Sequence, residues 1–224
     1  MKNVPVPDII PIFPLPETVL LPGEVLPLHI FEPRYREMVR DTLDSHRIIG
    51  MVQILPGHEE EQLFSPPVRE VGCAGVIARH SELEDGRFLI WLLGVERFRI
   101  RQELRTLTRY RLASIRHESA PSASKPDGLT LKRLTLLASM TVLLDGRMEG
   151  GEEAVNGLVR QLGRVEDEPL AAAAAQILGL SGEVKQRLLE AGGPEERFDL
   201  LRMEFDRRLQ GPRHLLAFTP KTFN

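Results

Sequence analysis

The chain has 224 residues, 42% of them hydrophobic and 27% charged, enough for one large domain or two small ones with a substantial core, and not the composition of a disordered polymer. A formal net charge of −3 gives no general attraction to nucleic acid or to an anionic membrane. The single cysteine, Cys73, excludes an intramolecular disulfide, and no apolar signal segment follows Lys2, so the expectation is a soluble cytoplasmic protein.

The opening is punctuated by prolines at 11, 14, 16, 22, 27 and 33. Each fixes its own φ and removes a backbone donor, so short extended pieces are expected at 9–13 and 25–31, and no long helix before Pro33. Pro33 suits a first helical turn, and Tyr35, Met38, Val39 and Leu43 follow at helical spacing to about residue 43. Residues 47–55 and 71–79 read as strands, separated by a loop at 56–67 whose acidic run at 59–61 reads as a solvated tip.

A hairpin tip at 83–86 leads into the longest strand pattern, 87–101, RFLIWLLGVERFRIR. Its first part is apolar on both faces, as in a buried strand, which assigns Trp91 to the core. Its second part has one wet face carrying Arg97, Arg99 and Arg101, with Phe98 on the other. Gly94 falls where a bulge or sharp bend would relieve the change. A further strand is expected at 109–116.

The small, polar, proline-bearing stretch 119–128 reads as a linker between a β-rich subdomain at 8–118 and a helical one at 129–212, with 213–224 as a C-terminal tail. Beyond the linker, Leu131, Leu134, Leu137 or Ala138, Thr141 and Leu144 can line one helix face. Helices are also expected at 156–165 and 169–178, after Ser181 as N-cap, and from Pro194, with Leu201, Phe205 and Leu209 inward. The alanine run at 171–175 suits tight helix packing. Leu215, Leu216, Phe218 and Phe223 suggest that the tail packs.

Three blocks, IPIFPLPETVLLPGEVLPLHIFEPRYREMV at 10–39, LGVERFRI at 93–100 and EVKQRLLEAGGPEERFDLL at 183–201, resemble in order the amino-terminal domain of Lon proteases. The resemblance runs from about residue 8 to 209. It implies an α+β fold, a strongly bent β-rich, PUA-like pseudo-barrel followed by a small helical bundle. It also implies a substrate-recognition module of an ATP-dependent protease, with an unfolded polypeptide or a specific protein as partner. No GxxxxGK[ST] sequence is present to cradle nucleotide phosphates, so the expectation is a stand-alone domain without the ATPase and protease modules.

Chemistry-bearing patterns are sparse. The six histidines form neither HxxxH nor HExxH, Cys73 has no CxxC partner, and no metal, cofactor or catalytic residue is expected. Ser124–Lys125 are neighbours in the linker, without the held geometry a serine–lysine dyad needs. His29, between Leu28 and Ile30, reads as a structural histidine. The candidate protein-binding surface is Phe31, Arg34 and Tyr35, since tyrosine and arginine anchor interfaces, together with the row Arg97, Arg99 and Arg101. Each has a plainer reading, as a strand-to-helix corner and as a solvated strand face. The alternative function, an RNA-binding or ribosome-associated PUA-like module, rests on the barrel analogy and the arginine row; the net acidity and the few aromatics count against nucleic acid. Membrane binding is not expected, and the oligomeric state is left open.

Overall fold

The computed structural model describes residues 5–58, 60, 65–118, 126–145, 148 and 150–210. Ser124–Lys125, most of the 119–128 linker and the 213–224 tail lie outside these residues. Among the described residues the fold is α+β: six strands in one mixed sheet and six helices. By contacts the chain divides into two compact units, one of Met1–Ser119 with Ser181–Glu190, the other of Ala120–Leu180 with Ala191–Asn224.

The first unit holds β1 (Ile9–Leu15), β2 (Val25–Ile30), α1 (Pro33–Leu43), β3 (Ile48–Gln53), β4 (Val71–Glu82), β5 (Phe88–Leu104) and β6 (Arg111–Glu118). Strand order is β2-β5-β4-β3-β1-β6, and β5 also pairs with β6, which curls the sheet back on itself. β1 and β3 run parallel and the other pairings are antiparallel. The long strand β5 makes the closure: its first half lies between β2 and β4, its second between β4 and β6.

Gly94 is where β5 changes partners. Gly75 faces Gly94 and Ala74 faces Glu96, so Val95 is an extra residue and the ladder bulges there. Gly94 also exchanges backbone hydrogen bonds with Gly23 and Glu24, each 2.9 Å. A Cβ on Gly94 would stand 2.2 Å from the Leu21 carbonyl oxygen, so no side chain fits. Inside the closed sheet, Ile10, Ile12, Ile48, Val52, Ala74, Phe98, Ala113 and Ile115 form one apolar cluster.

Helix α1 starts as the proline predicts, with Glu32 extended at the N-cap and Pro33 in the first turn, and buries Tyr35, Met38, Val39 and Thr42. Helix α5 (Gly182–Glu190) is the departure from the sequence boundaries. Placed at 129–212 with the other helices, it instead belongs to the sheet unit. Three polar ties hold it there: Lys185 to the buried carboxylate of Glu24 (2.5 Å), Gln186 to the Val71 carbonyl (3.0 Å) and Arg97 to the Leu189 carbonyl (2.9 Å). Gly182 lies so close to the Glu17 carbonyl that a Cβ would come within 2.3 Å.

The second unit contains α2 (Pro126–Leu144), α3 (Gly151–Leu162), α4 (Asp167–Ile177) and α6 (Pro194–Gln210). Four of the five alanines of α4 are buried, the tight packing expected of the run. The inward face of α2 differs from the expected one: Leu136, Leu137, Met140, Leu143 and Leu144 are buried, whereas Leu131 and Leu134 are 67% and 57% exposed. The reason is that α2 is apolar on every side, so periodicity selects no single face. On α6, Leu201 and Phe205 are buried as expected, but Leu209 is exposed and the buried stripe takes in Phe198, Arg197 and Glu204. Arg197 is ion-paired with Glu168 of α4.

Candidate functional site

The residues singled out from sequence separate in the structure. Phe31, just after β2, is 60% exposed. Arg34 is tied to Glu32 (2.9 Å) and lies over the Tyr35 ring, 4.5 Å from its centroid. Tyr35 is 3% exposed, with its ring 4.2 Å from that of Phe13 and its hydroxyl buried without a hydrogen-bond partner among the described residues. Burial pushes its phenol up to about 12. The strand-to-helix corner therefore offers Phe31 to solvent and spends Tyr35 on packing.

The arginine row is broken. Arg97 is 5% exposed and donates to the Leu189 carbonyl, so it anchors α5. Arg99 is held between Glu118 (2.9 Å) and Glu70 (3.0 Å). Arg101 is exposed, the extra residue where Ile100 faces Ile115 and Gln102 faces Ser114. A solvated face was the plainer expectation; alternation was interrupted by the bulges at residues 95 and 101, and of the three arginines Arg101 alone is in the exposed class. A depression of about 460 Å³ beside Arg99 includes Arg69, Glu70 and Glu190, two arginines balanced by two carboxylates, and selects no charge.

A different surface gathers unused apolar groups. In the first half of β5, Phe88, Ile90 and Leu92 are buried on one face, while Leu89, Trp91 and Leu93 are half-buried on the other. The register carries that outer face across three strands: Pro27 beside Trp91 beside Arg79, His29 beside Leu89 beside Ser81, and Val25 beside Leu93. Arg79 stacks over the Trp91 ring at 5.4 Å. Val25 is 46% exposed and His29 is exposed, with its ring 6.0 Å from that of Phe31. His29 is thus a surface residue, against the structural reading. Trp91, assigned to the core, is the centre of this face.

The sequence reading missed the face because an apolar run on both parities of a strand looks the same whether both faces are covered or one is left open. The usable signal was the neighbour: a short strand broken by Pro27 is the kind found at a sheet edge, where cover ends. Among the described residues no group of three or more His, Cys, Asp or Glu is arranged to hold a metal ion, and no helix is long and apolar enough to cross a membrane.

A bent, closed mixed sheet in a chain that also carries a helical unit defines a fold of α+β class. The sequence matches the family described as the ATP-dependent protease La (LON) substrate-binding domain over residues 9–205, and the chain belongs to that family. It is 25% identical over 208 residues to the Lon protease of Dictyoglomus thermophilum and 27% identical over 198 residues to that of Flavobacterium johnsoniae, covering 92% and 88% of this chain. It spans about a quarter of the length of these relatives, 25% and 24%. Among solved structures, the N-terminal domain of Mycobacterium avium complex Lon protease superposes with a TM-score of 0.69 at 18% identity, over 88% of this chain and 98% of that one. A Lon N-terminal domain protein from Xanthomonas campestris gives 0.60 at 22% identity, over 95% and 99%. Both are likenesses of fold.

Proposed function

We propose that this chain recognises polypeptide segments exposing apolar residues, and that it does so through the outer face of β2, β5 and β4 centred on Trp91. The observation that carries the reading is the contiguous apolar row of exposed Val25 with half-buried Pro27, Leu89, Trp91 and Leu93 on a well-paired sheet. Contiguous exposed apolar surface marks interaction sites, and tryptophan is a favoured anchor within them. The family's description as a substrate-binding domain supports the same reading and a role in binding rather than catalysis. The chain would present clients to an ATP-dependent protease, whether joined to it or acting as an adaptor in the cytoplasm.

Trp91 is the only tryptophan, so its emission reports on this face alone. Titration with a permanently unfolded polypeptide is expected to shift that emission saturably, and the folded counterpart is not. Leu89→Asp and Val25→Asp are expected to weaken binding at least tenfold with little change in melting temperature. Saturable binding that survives both substitutions moves the site elsewhere. Binding to RNA alone, lost as salt rises, overturns the reading in favour of a nucleic-acid module.

A further inference from the structure

The backbone at the edge of this face points to how a client is held. The Leu83 N–H donates to the Arg87 carbonyl at 2.8 Å, which closes the β4–β5 hairpin and sets the hydrogen-bond parity of β5. With the observed register, Leu89, Trp91 and Leu93 face β4 through their backbone groups, and Phe88, Ile90 and Leu92 face β2. The Gly94 N–H to the Glu24 carbonyl, 2.9 Å, confirms the same alternation on β2. Leu26, Leu28 and Ile30 therefore bond to β5. The backbone groups of Val25, Pro27 and His29 point away from the sheet. β2 pairs with β5 alone among the described strands, so no described strand pairs with this edge.

We infer that an extended client polypeptide adds to β2 as an edge strand, held by backbone hydrogen bonds to Val25, Pro27 and His29; this rests on the polypeptide-recognition reading above. The edge offers two donors, at Val25 and His29, and three acceptors, because Pro27 has a carbonyl but no N–H. That asymmetry selects the occupant. Two copies of β2 pairing antiparallel about Pro27 would set proline against proline, with carbonyls facing and no donor between them. A client with an ordinary residue at that position donates its N–H to the Pro27 carbonyl and so makes one of the two bonds of that rung. Pro27 thus disfavours self-pairing in that symmetric register while leaving the edge usable by a foreign chain. Alternate side chains of the added strand fall on the side of Val25, Pro27 and His29, so a client apolar at every second position extends the Trp91 face.

The experiment uses the full chain and a fluorescent, unstructured peptide with valine at alternate positions, followed by anisotropy. Two further peptides carry N-methyl groups on one parity or the other. Strand addition predicts that one parity loses about fivefold to tenfold in affinity per blocked bond and the other almost nothing, since only one set of N–H groups faces β2. Val25→Pro removes an N–H that makes no bond within the sheet, so it is expected to weaken the parent peptide severalfold at an unchanged melting temperature. Equal affinities of the two methylated peptides, with Val25→Pro binding like the parent, overturn strand addition while leaving apolar recognition standing. Failure of the parent peptide and of the unfolded polypeptide alike overturns both.

Discussion

The sheet unit and the helical unit expose apolar residues in different ways. In the sheet unit, alternation with a period of two sorts the first half of β5, where Leu89, Trp91 and Leu93 share a half-buried outer face beside exposed Val25. In the helical unit, α2 is apolar all round: Leu136, Leu137, Met140, Leu143 and Leu144 are inside, while Leu131, Leu134 and Val142 are outside. Its two charged residues past the first turn are both engaged, Lys132 with Asp199 (2.6 Å) and Arg133 with Asp167 (2.6 Å). A strand states which residues share a face but not whether the face is covered. An apolar helix does not state even its faces; tertiary packing puts Leu136, Met140 and Leu143 inside.

The steepest contrast is between glycines. Gly94→Val in the sheet unit drives a side chain into the Leu21 carbonyl and is expected to cost about 3 kcal/mol or more, or to abolish folding. Gly157→Ala in the interior of α3, where a Cβ meets nothing within 4 Å, is expected to stabilise by about 0.5–1 kcal/mol. Urea unfolding of both variants checks the pair. A mild Gly94→Val phenotype would remove the close β5 crossing from the account of the fold.

Within α2, Met140→Ala should cost about 2–5 kcal/mol and Leu134→Ala about 0.5 or less, because the first is fully buried and the second exposed. The reverse order in thermal melts would mean that α2 is rotated. Between the two ends of the arginine row the expected gap is smaller. Arg97→Met leaves the Leu189 carbonyl short of a donor, at about 1–3 kcal/mol, whereas Arg101→Ala is expected to be near neutral. Tyr35→Phe removes a hydroxyl that has no partner, so it should leave stability unchanged or slightly higher and peptide binding intact.

The smallest effect is a pH dependence. His117 of β6 is hydrogen-bonded to Glu96 of β5 and lies 3.2 Å from Asp8 before β1; the bond to Glu96 chiefly, then that to Asp8, holds its pKa above the ordinary 6.5. A raised folded-state pKa means that the stabilisation is fully present below about pH 6.5 and is lost as pH rises through the folded value. The melting temperature should fall slightly over that window in the parent protein. In His117→Gln that particular slope should disappear; a slope that persists unchanged assigns it to another group.

Much of the secondary structure was legible, and for local reasons. Prolines cut the opening into strands, Pro33 started α1 where it stands, the glycine at 94 marked the bulge, and the alanine run marked tight packing in α4. The functional surface was less so. Of the six residues picked for it, Phe31 and Arg101 are exposed, Arg34 and Arg99 are half-buried in ion pairs, and Tyr35 and Arg97 are buried. Side-chain chemistry made tyrosine and arginine plausible anchors, but the same chemistry serves a ring packed on Phe13 or a guanidinium tying down α5.

The sequence by itself determined the parity of the first half of β5, the stripe of α1, the close approach at Gly94, and membership of a family whose blocks occur in order. These are properties of residues near one another in the chain, where steric limits and periodicity act. Only the tertiary structure decided which faces are covered. It moved α5 to the sheet unit, buried Arg97 beneath it, and left Trp91 beside an open edge, because cover depends on strand order and on contacts between residues as far apart as 97 and 189.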